Sequence, residues 1–182
     1  MWCSPMGLCE DVSCDGPLQR KIERTMAFVL TVRPESGHFD LFIEGSTLSV
    51  LAPIGYDDEE DVNFFLSVAL EPLAGGGHEY VFNVVRVDGT NNDQEFIWDA
   101  RRTGFIQRDN RKIILDFLLK ITRGMIVHLQ PKLIFMCTIH ANPPAKALEK
   151  YTAINNVFRE CGYTVTAGEI YHGQHSWWAE RS

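Results

Sequence analysis

The hydrophobic pattern of this chain changes period near residue 100, and that change limits the fold more than any other feature. Before it, segments rich in β-branched and aromatic residues alternate with turn clusters, the pattern of strands. Met26 to Val32, His38 to Glu44, Thr47 to Ile54, Val62 to Leu70 and Glu79 to Val87 all read this way, with a shorter strand from Gln94 to Trp98. Gly45-Ser46 makes a hairpin of the second and third. Pro72 and Gly75-Gly76-Gly77 end the fourth. A brief helix over Gln19 to Arg24 is the only helical signal in this half.

Beyond the change, Ile113, Phe117, Leu118, Ile121 and Met125 recur at helical spacing, which predicts a helix from about Asn110 to His128. Asp109 reads as its N-cap, and Gly124 as a weak point near its end. Lys132 to Ile139 is an apolar run of strand length, the signature of a strand buried on both faces. Asn142-Pro143-Pro144 opens a second helix whose stripe is Leu148, Tyr151, Ile154, Val157, Phe158 and Cys161. Gly162 stands where a helix end wants a left-handed residue. Tyr163 to Tyr171 and Ser176 to Glu180 read as strands around a His172-Gly173-Gln174 turn. The expected fold is therefore α+β: a mixed, mostly antiparallel sheet in which a β-meander is followed by a βαβ unit. Residues 1–20 read as a flexible N-terminal arm, and 21–182 as one domain.

Composition narrows the function classes. The 182 residues are 45% hydrophobic and 23% charged, which suits a globular protein and excludes a mainly disordered or coiled-coil one. A net charge of −7 argues against general binding to nucleic acid. No apolar run approaches the roughly 20 residues of a membrane span. Cys3, Cys9 and Cys14 match no paired zinc spacing, so a metal site built from them needs a distant fourth ligand. Cys137 and Cys161 read as small core residues. An odd cysteine count and an N-terminus without a secretory pattern point to a reducing compartment, and the cytoplasm is the expectation.

Several constellations carry chemistry or its plain alternative. Arg101, Arg102, Arg108, Arg111 and Lys112 gather five positive charges in an acidic chain, either as a solvated basic turn or as a site for an anion. His140 follows the apolar run, where α/β proteins place ligand contacts, and suits a general base or a helix cap. His172 and His175 read as a polar turn before they read as a metal pair. Asp57 to Asp61 is an uninterrupted acidic run, a solvated loop or a dock for a basic surface. Trp177 and Trp178 should face opposite ways on a strand, one packed inward and the other an interface anchor or an edge cover.

The order of elements, closed by Val157-Phe158-Arg159-Glu160-Cys161-Gly162-Tyr163, resembles the GNAT family of N-acetyltransferases. In that family a meander leads into a pyrophosphate-binding helix, then strand, helix and terminal strands. The resemblance implies an acyl-CoA-dependent N-acyltransferase with acetyl-CoA as cofactor and an amine of a small molecule or protein as acceptor. Arg101-Arg102-Thr103-Gly104-Phe105-Ile106 corresponds to the pyrophosphate cradle, with Arg101, Arg102 and Gly104 as its contacts and Ile106 where the family has a small residue. Asn142 would lie near the cofactor. Phe158 holds the cofactor-side position where the family often has a tyrosine acid, and Tyr151 is the nearest hydroxyl to replace it. Glu79, with Glu95 as the other strand glutamate, or His140 would take the amine proton. The departures at Phe158 and Ile106 equally imply a second function, a non-catalytic GNAT-like protein-binding module acting through the acidic loop and an exposed aromatic, as an inhibitor or adaptor. Nucleic-acid binding through the 101–112 cluster is a third and weaker reading.

Overall fold

The computed structural model describes residues 28–33, 35, 39–97 and 103–181. The strands are β1 (Phe28–Leu30), β2 (Phe42–Glu44), β3 (Thr47–Asp57), β4 (Val62–Pro72), β5 (His78–Asp88), β6 (Gln94–Ile97), β7 (Leu133–Cys137), β8 (Tyr163–Ala167) and β9 (Ser176–Arg181). Two helices, α1 (Arg108–Leu129) and α2 (Ala145–Glu160), flank β7 in sequence. The sheet runs β1-β3-β4-β5-β7-β9-β8, with β2 added beside β3 and β6 beside β5. Every pairing is antiparallel except β5 with β7. Among the described residues the protein is thus a mixed α/β chain with a mostly antiparallel open sheet and two helices, as the change of period implies.

The long hairpins β3-β4 and β4-β5 form because their residues alternate strictly. Leu48, Val50, Ala52 and Ile54 on β3 and Val62, Phe64, Leu66, Val68 and Leu70 on β4 are buried on one face. Both helices pack on that same face. From α1, Phe117, Ile121, Met125 and Ile126 enter the core, and from α2 come Tyr151, Ile154 and Phe158. Each such side chain contributes about 1.5–3 kcal/mol on burial. An ion pair between Arg123 and Glu160 links the outer edges of the helices. Among the described residues, no helix covers the opposite face of the sheet.

That one-sided arrangement corrects the expectation for the Lys132–Ile139 run. The strand is Leu133–Cys137, and its burial alternates: Ile134 and Met136 are buried, whereas Leu133, Phe135 and Cys137 are half-exposed. Its continuous apolar character serves two different faces, only one of them covered by helices. Tyr163–Tyr171 is likewise shorter than expected, ending at Ala167, and Tyr171 makes only an isolated bridge to Gln174. The acidic run is also divided. Asp57 ends β3 and is buried, where its carboxylate accepts the Glu59 amide at 2.9 Å; residues 58–61 form the turn.

Asp109 is not the N-cap of α1. It lies in the first turn, and Gln107 occupies the cap without a side-chain hydrogen bond. The helix runs unbroken through Gly124, whose missing side chain admits the Phe39 ring: a Cβ there would meet the ring at 2.6 Å. At the end of α2, Gly162 takes φ +89°, the left-handed turn expected of it. The predicted arm, the helix over Gln19–Arg24, Trp98 and the three N-terminal cysteines lie outside the described residues, as do Arg101 and Arg102.

Candidate functional site

The parallel junction of β5 and β7 is the structural centre of the candidate site. Only His78 with Ile134 and Glu79 with Phe135 are in register there. Further along β5, residues Val84–Val87 pair with β6 instead. Between these pairings β5 residues 80–83 have no partner strand on that edge, and at this parting Lys150 and Tyr151 of α2 lie against Phe82.

Side chains of the protein itself line this parting. Tyr80 meets Phe158 edge-on, at 5.5 Å between ring centroids. Phe82 lies 5.6 Å from Tyr151, which stacks on Trp177 at 5.3 Å, and Trp177 stacks in turn on His175. The Lys150 ammonium sits 5.1 Å from the Phe82 ring and 5.2 Å from Tyr151, a cation–π arrangement. Burial pushes the Lys150 amine below its ordinary pKa. Burial also pushes the Tyr151 phenol up to about 12, helped by the nearby Cys137 and opposed by a hydrogen bond with the Ile139 backbone. Tyr151 is therefore a neutral hydroxyl near pH 7.

Glu79 approaches from the other side of the sheet. Its Oε1 lies 4.0 Å from the Cys137 Sγ, bridging the parted strands. Burial first, and then the Glu79 charge, raise the Cys137 thiol. Glu79, Tyr151 and Phe158 thus gather around the junction, whereas His140 stands exposed on the loop beyond β7. That loop is bonded to the 171–175 turn. Gln174 donates to the carbonyls of Thr138 and Ile139, at 3.1 and 3.0 Å, and the Asn142 amide donates to Gly173 at 2.7 Å. Asn142, at φ +50°, packs its carboxamide against Gly173. Phe158 is only 1% exposed, set beneath Tyr80 in the core.

The segment before α1 is organised by Arg111. Its guanidinium donates to the carbonyls of Ile106 at 2.8 Å and Thr103 at 3.2 Å, which closes the turn onto the helix. Ile106 is buried in the core, and Gly104 is exposed. Of the five cations in the cluster, Arg111 is committed to backbone oxygens, Arg108 and Lys112 are exposed, and the other two are outside the described residues.

Two polar contacts escaped the sequence reading. The Tyr80 hydroxyl bonds Thr122 at 2.5 Å, and Thr122 passes the bond to the Leu118 carbonyl at 2.7 Å. Burial holds the Tyr80 phenol far above its ordinary value. The Glu79–Cys137 approach was within reach of strand alternation, since Phe135 and Cys137 share a face with Glu79 across the register. The position of Lys150 had no such signal. Trp177 and Trp178 do take opposite faces, Trp177 against Tyr151 and Trp178 against Phe135 at 4.6 Å. Among the described residues, no group of three His, Cys, Asp or Glu could hold a metal ion, and no helix is long and apolar enough to cross a membrane.

Comparison with protein-family models, curated proteins and solved structures finds no match.

Proposed function

We propose that this protein is a non-catalytic binding module on a GNAT-like scaffold, which acts by occupying the surface of a partner protein. The observation that carries the reading is the filled parting between β5 and β7, where Phe82, Tyr151, Trp177 and Lys150 pack against one another. A pantetheine arm entering there would have to displace a stacked aromatic ladder. The residues described around the expected pyrophosphate cradle also fit acetyl-CoA poorly. Arg111 faces carbonyls of the loop, the Ile106 amide is spent on the Thr103 carbonyl, and Asp109 places a negative charge in the first turn. At the acid position, Phe158 has no proton to give, and the Tyr151 hydroxyl is engaged with the Ile139 backbone. The acidic turn at 58–61 and the outward Trp178 supply the contacts such a module needs.

Calorimetric titration with acetyl-CoA and with free coenzyme A tests the reading. Neither should give heat or a thermal shift. Micromolar binding of both would overturn it in favour of acyl transfer to an amine. That second reading has one observation on its side, the short parallel junction, which leaves an edge of β5 between its two partners. Its decisive variant is Arg101→Ala with Arg102→Ala, which should lower coenzyme affinity if a phosphate site exists there.

A further inference from the structure

Strand β8 ends the sheet, and among the described residues nothing pairs with its outer side. Its pairing with β9 fixes which groups point outward. The Gly168 amide donates to the Ser176 carbonyl at 2.9 Å, and in an antiparallel ladder the bonded residues recur at every second position. The backbone of Thr164 and Thr166 therefore bonds to β9, whereas the amides and carbonyls of Tyr163, Val165 and Ala167 face away from it. Proteins usually blunt such an edge with a short strand, a charge, a proline or a bulge. The other edge strands follow that rule: β1 and β2 have three residues each and β6 four, with Glu44 and Glu95 among them. β8 is Tyr163-Thr164-Val165-Thr166-Ala167, five residues with no charge, no proline and an unbroken register.

An antiparallel copy of the same segment fits this edge. With a two-fold axis at Val165, the outward groups of Val165 meet those of Val165 in the second copy, and those of Tyr163 meet Ala167, so every outward amide finds a carbonyl. Thr164 then stands opposite Thr166, both exposed, a cross-strand pair of hydroxyls rather than of like charges. At the ends of the join the charges are opposite in sign, in a chain whose net charge is −7. The start of one β8, which follows Arg159 at the end of α2, meets the end of the other, which leads into Glu169; both of these side chains are exposed. Glu160 at that end is held by Arg123, and Glu180 and Arg181 stand one strand further in and offset each other. Beyond Ala167 the loop leaves Ile170 62% and Tyr171 72% exposed, large side chains for a neighbouring copy to cover. We infer that β8 is a dimer edge, at which two copies of this chain pair antiparallel about Val165 into one continuous sheet. The join is independent of the reading given to the β5-β7 junction.

Sedimentation of the full chain over a concentration series, with amide hydrogen exchange at each concentration, tests the inference. The chain should dimerise reversibly. The Val165 and Ala167 amides should exchange more slowly as the dimer forms, while those of Thr164 and Thr166, already bonded to β9, should not change. Thr164→Lys with Thr166→Lys sets like charges opposite each other twice and should weaken the dimer about tenfold or more. Thr164→Lys with Thr166→Glu sets opposite charges there and should keep it. Loss in the first variant and retention in the second separate the register from damage to the fold. A monomer throughout the series overturns the inference, whether its Val165 and Ala167 amides exchange slowly, the edge being covered by the chain itself, or fast, the edge being left for a foreign strand. So does a dimer that both variants preserve or both abolish. None of those outcomes depends on coenzyme binding, so failure here is distinct from failure of the functional reading.

Discussion

The two faces of the sheet differ most along β4 and least along β5. On the helical face, β4 alone buries Phe64, Val68 and Leu70 to zero exposure. One residue along, on the opposite face, Phe65 and Ala69 are only half-buried. The helices make the difference on β4, whereas on β5 the order reverses: Asn83 and Val85 of the opposite face are buried, and Phe82 and Val84 of the helical face are half-buried. On β4, stability should therefore concentrate on the helical face. The sharpest way to break this comparison is Phe158→Ala. Deletion of a fully buried ring should cost about 3–5 kcal/mol in chemical denaturation. A loss under about 1 kcal/mol would mean that α2 is only loosely seated.

Polar contacts within the covered face set the next effect. Thr122→Val removes the one hydrogen-bond partner that the buried Tyr80 hydroxyl has among the described residues, and should cost about 1–3 kcal/mol. Tyr80→Phe leaves Thr122 bonded to Leu118 and should cost about 1 kcal/mol or less. Equal losses in the two variants would show that the hydroxyl finds water instead.

How much of this was legible follows the same division. Alternation and helical spacing gave the strands, both helices and the inward residues of α2, since each depends on a local period. The absence of a second helical layer was not legible, and so Lys132–Ile139 read as a strand buried twice. A run of consecutive apolar residues looks the same whether its outer face meets a helix or a partner. The Asp109 cap failed because the turn ahead of α1 is closed from inside the helix by Arg111, an interaction no N-terminal pattern records. At the candidate site, Glu79 and Tyr151 do converge on one junction, but the filling of that junction by Lys150 and Trp177 depends on contacts between four elements.

The tyrosine in that filled junction gives a test along the pH axis. The Tyr151 phenol is raised from 10.0 to about 12 in the folded protein. Below pH 10 it is neutral in both states, and its contribution to stability is whole. As pH rises from there toward 12 the unfolded chain loses the proton first, so stability falls. Tyr151→Phe should flatten this alkaline slope, measured by denaturation at fixed pH. An unchanged slope would mean that the ring is more open to water than its packing against Trp177 and Phe82 indicates. Lys150 acts in the opposite sense, because its lowered pKa makes stability rise with pH below the ordinary lysine range.

Gly124→Ala sharpens the comparison at the rim of the core. Helix propensity alone would favour alanine by about 1 kcal/mol. The Phe39 ring against Gly124 should cancel that gain. In a Phe39→Ala background the same substitution should recover it, which a double-mutant cycle would read as coupling of about 1 kcal/mol. Additivity would place Phe39 away from the helix in solution.

The smallest effect belongs to the open face, and its smallness is the point. Leu51→Thr replaces an exposed apolar residue by one that suits a strand equally well. Its stability should stay within about 0.5 kcal/mol of the parent. Trp178→Thr should cost somewhat more, because its ring also packs on Phe135. If Leu51→Thr instead loses as much as a core variant, the cover that buries Val85 and Asn83 on this face extends over β3 as well. If it is neutral, Leu51 contributes little to the packed core and stays open to water.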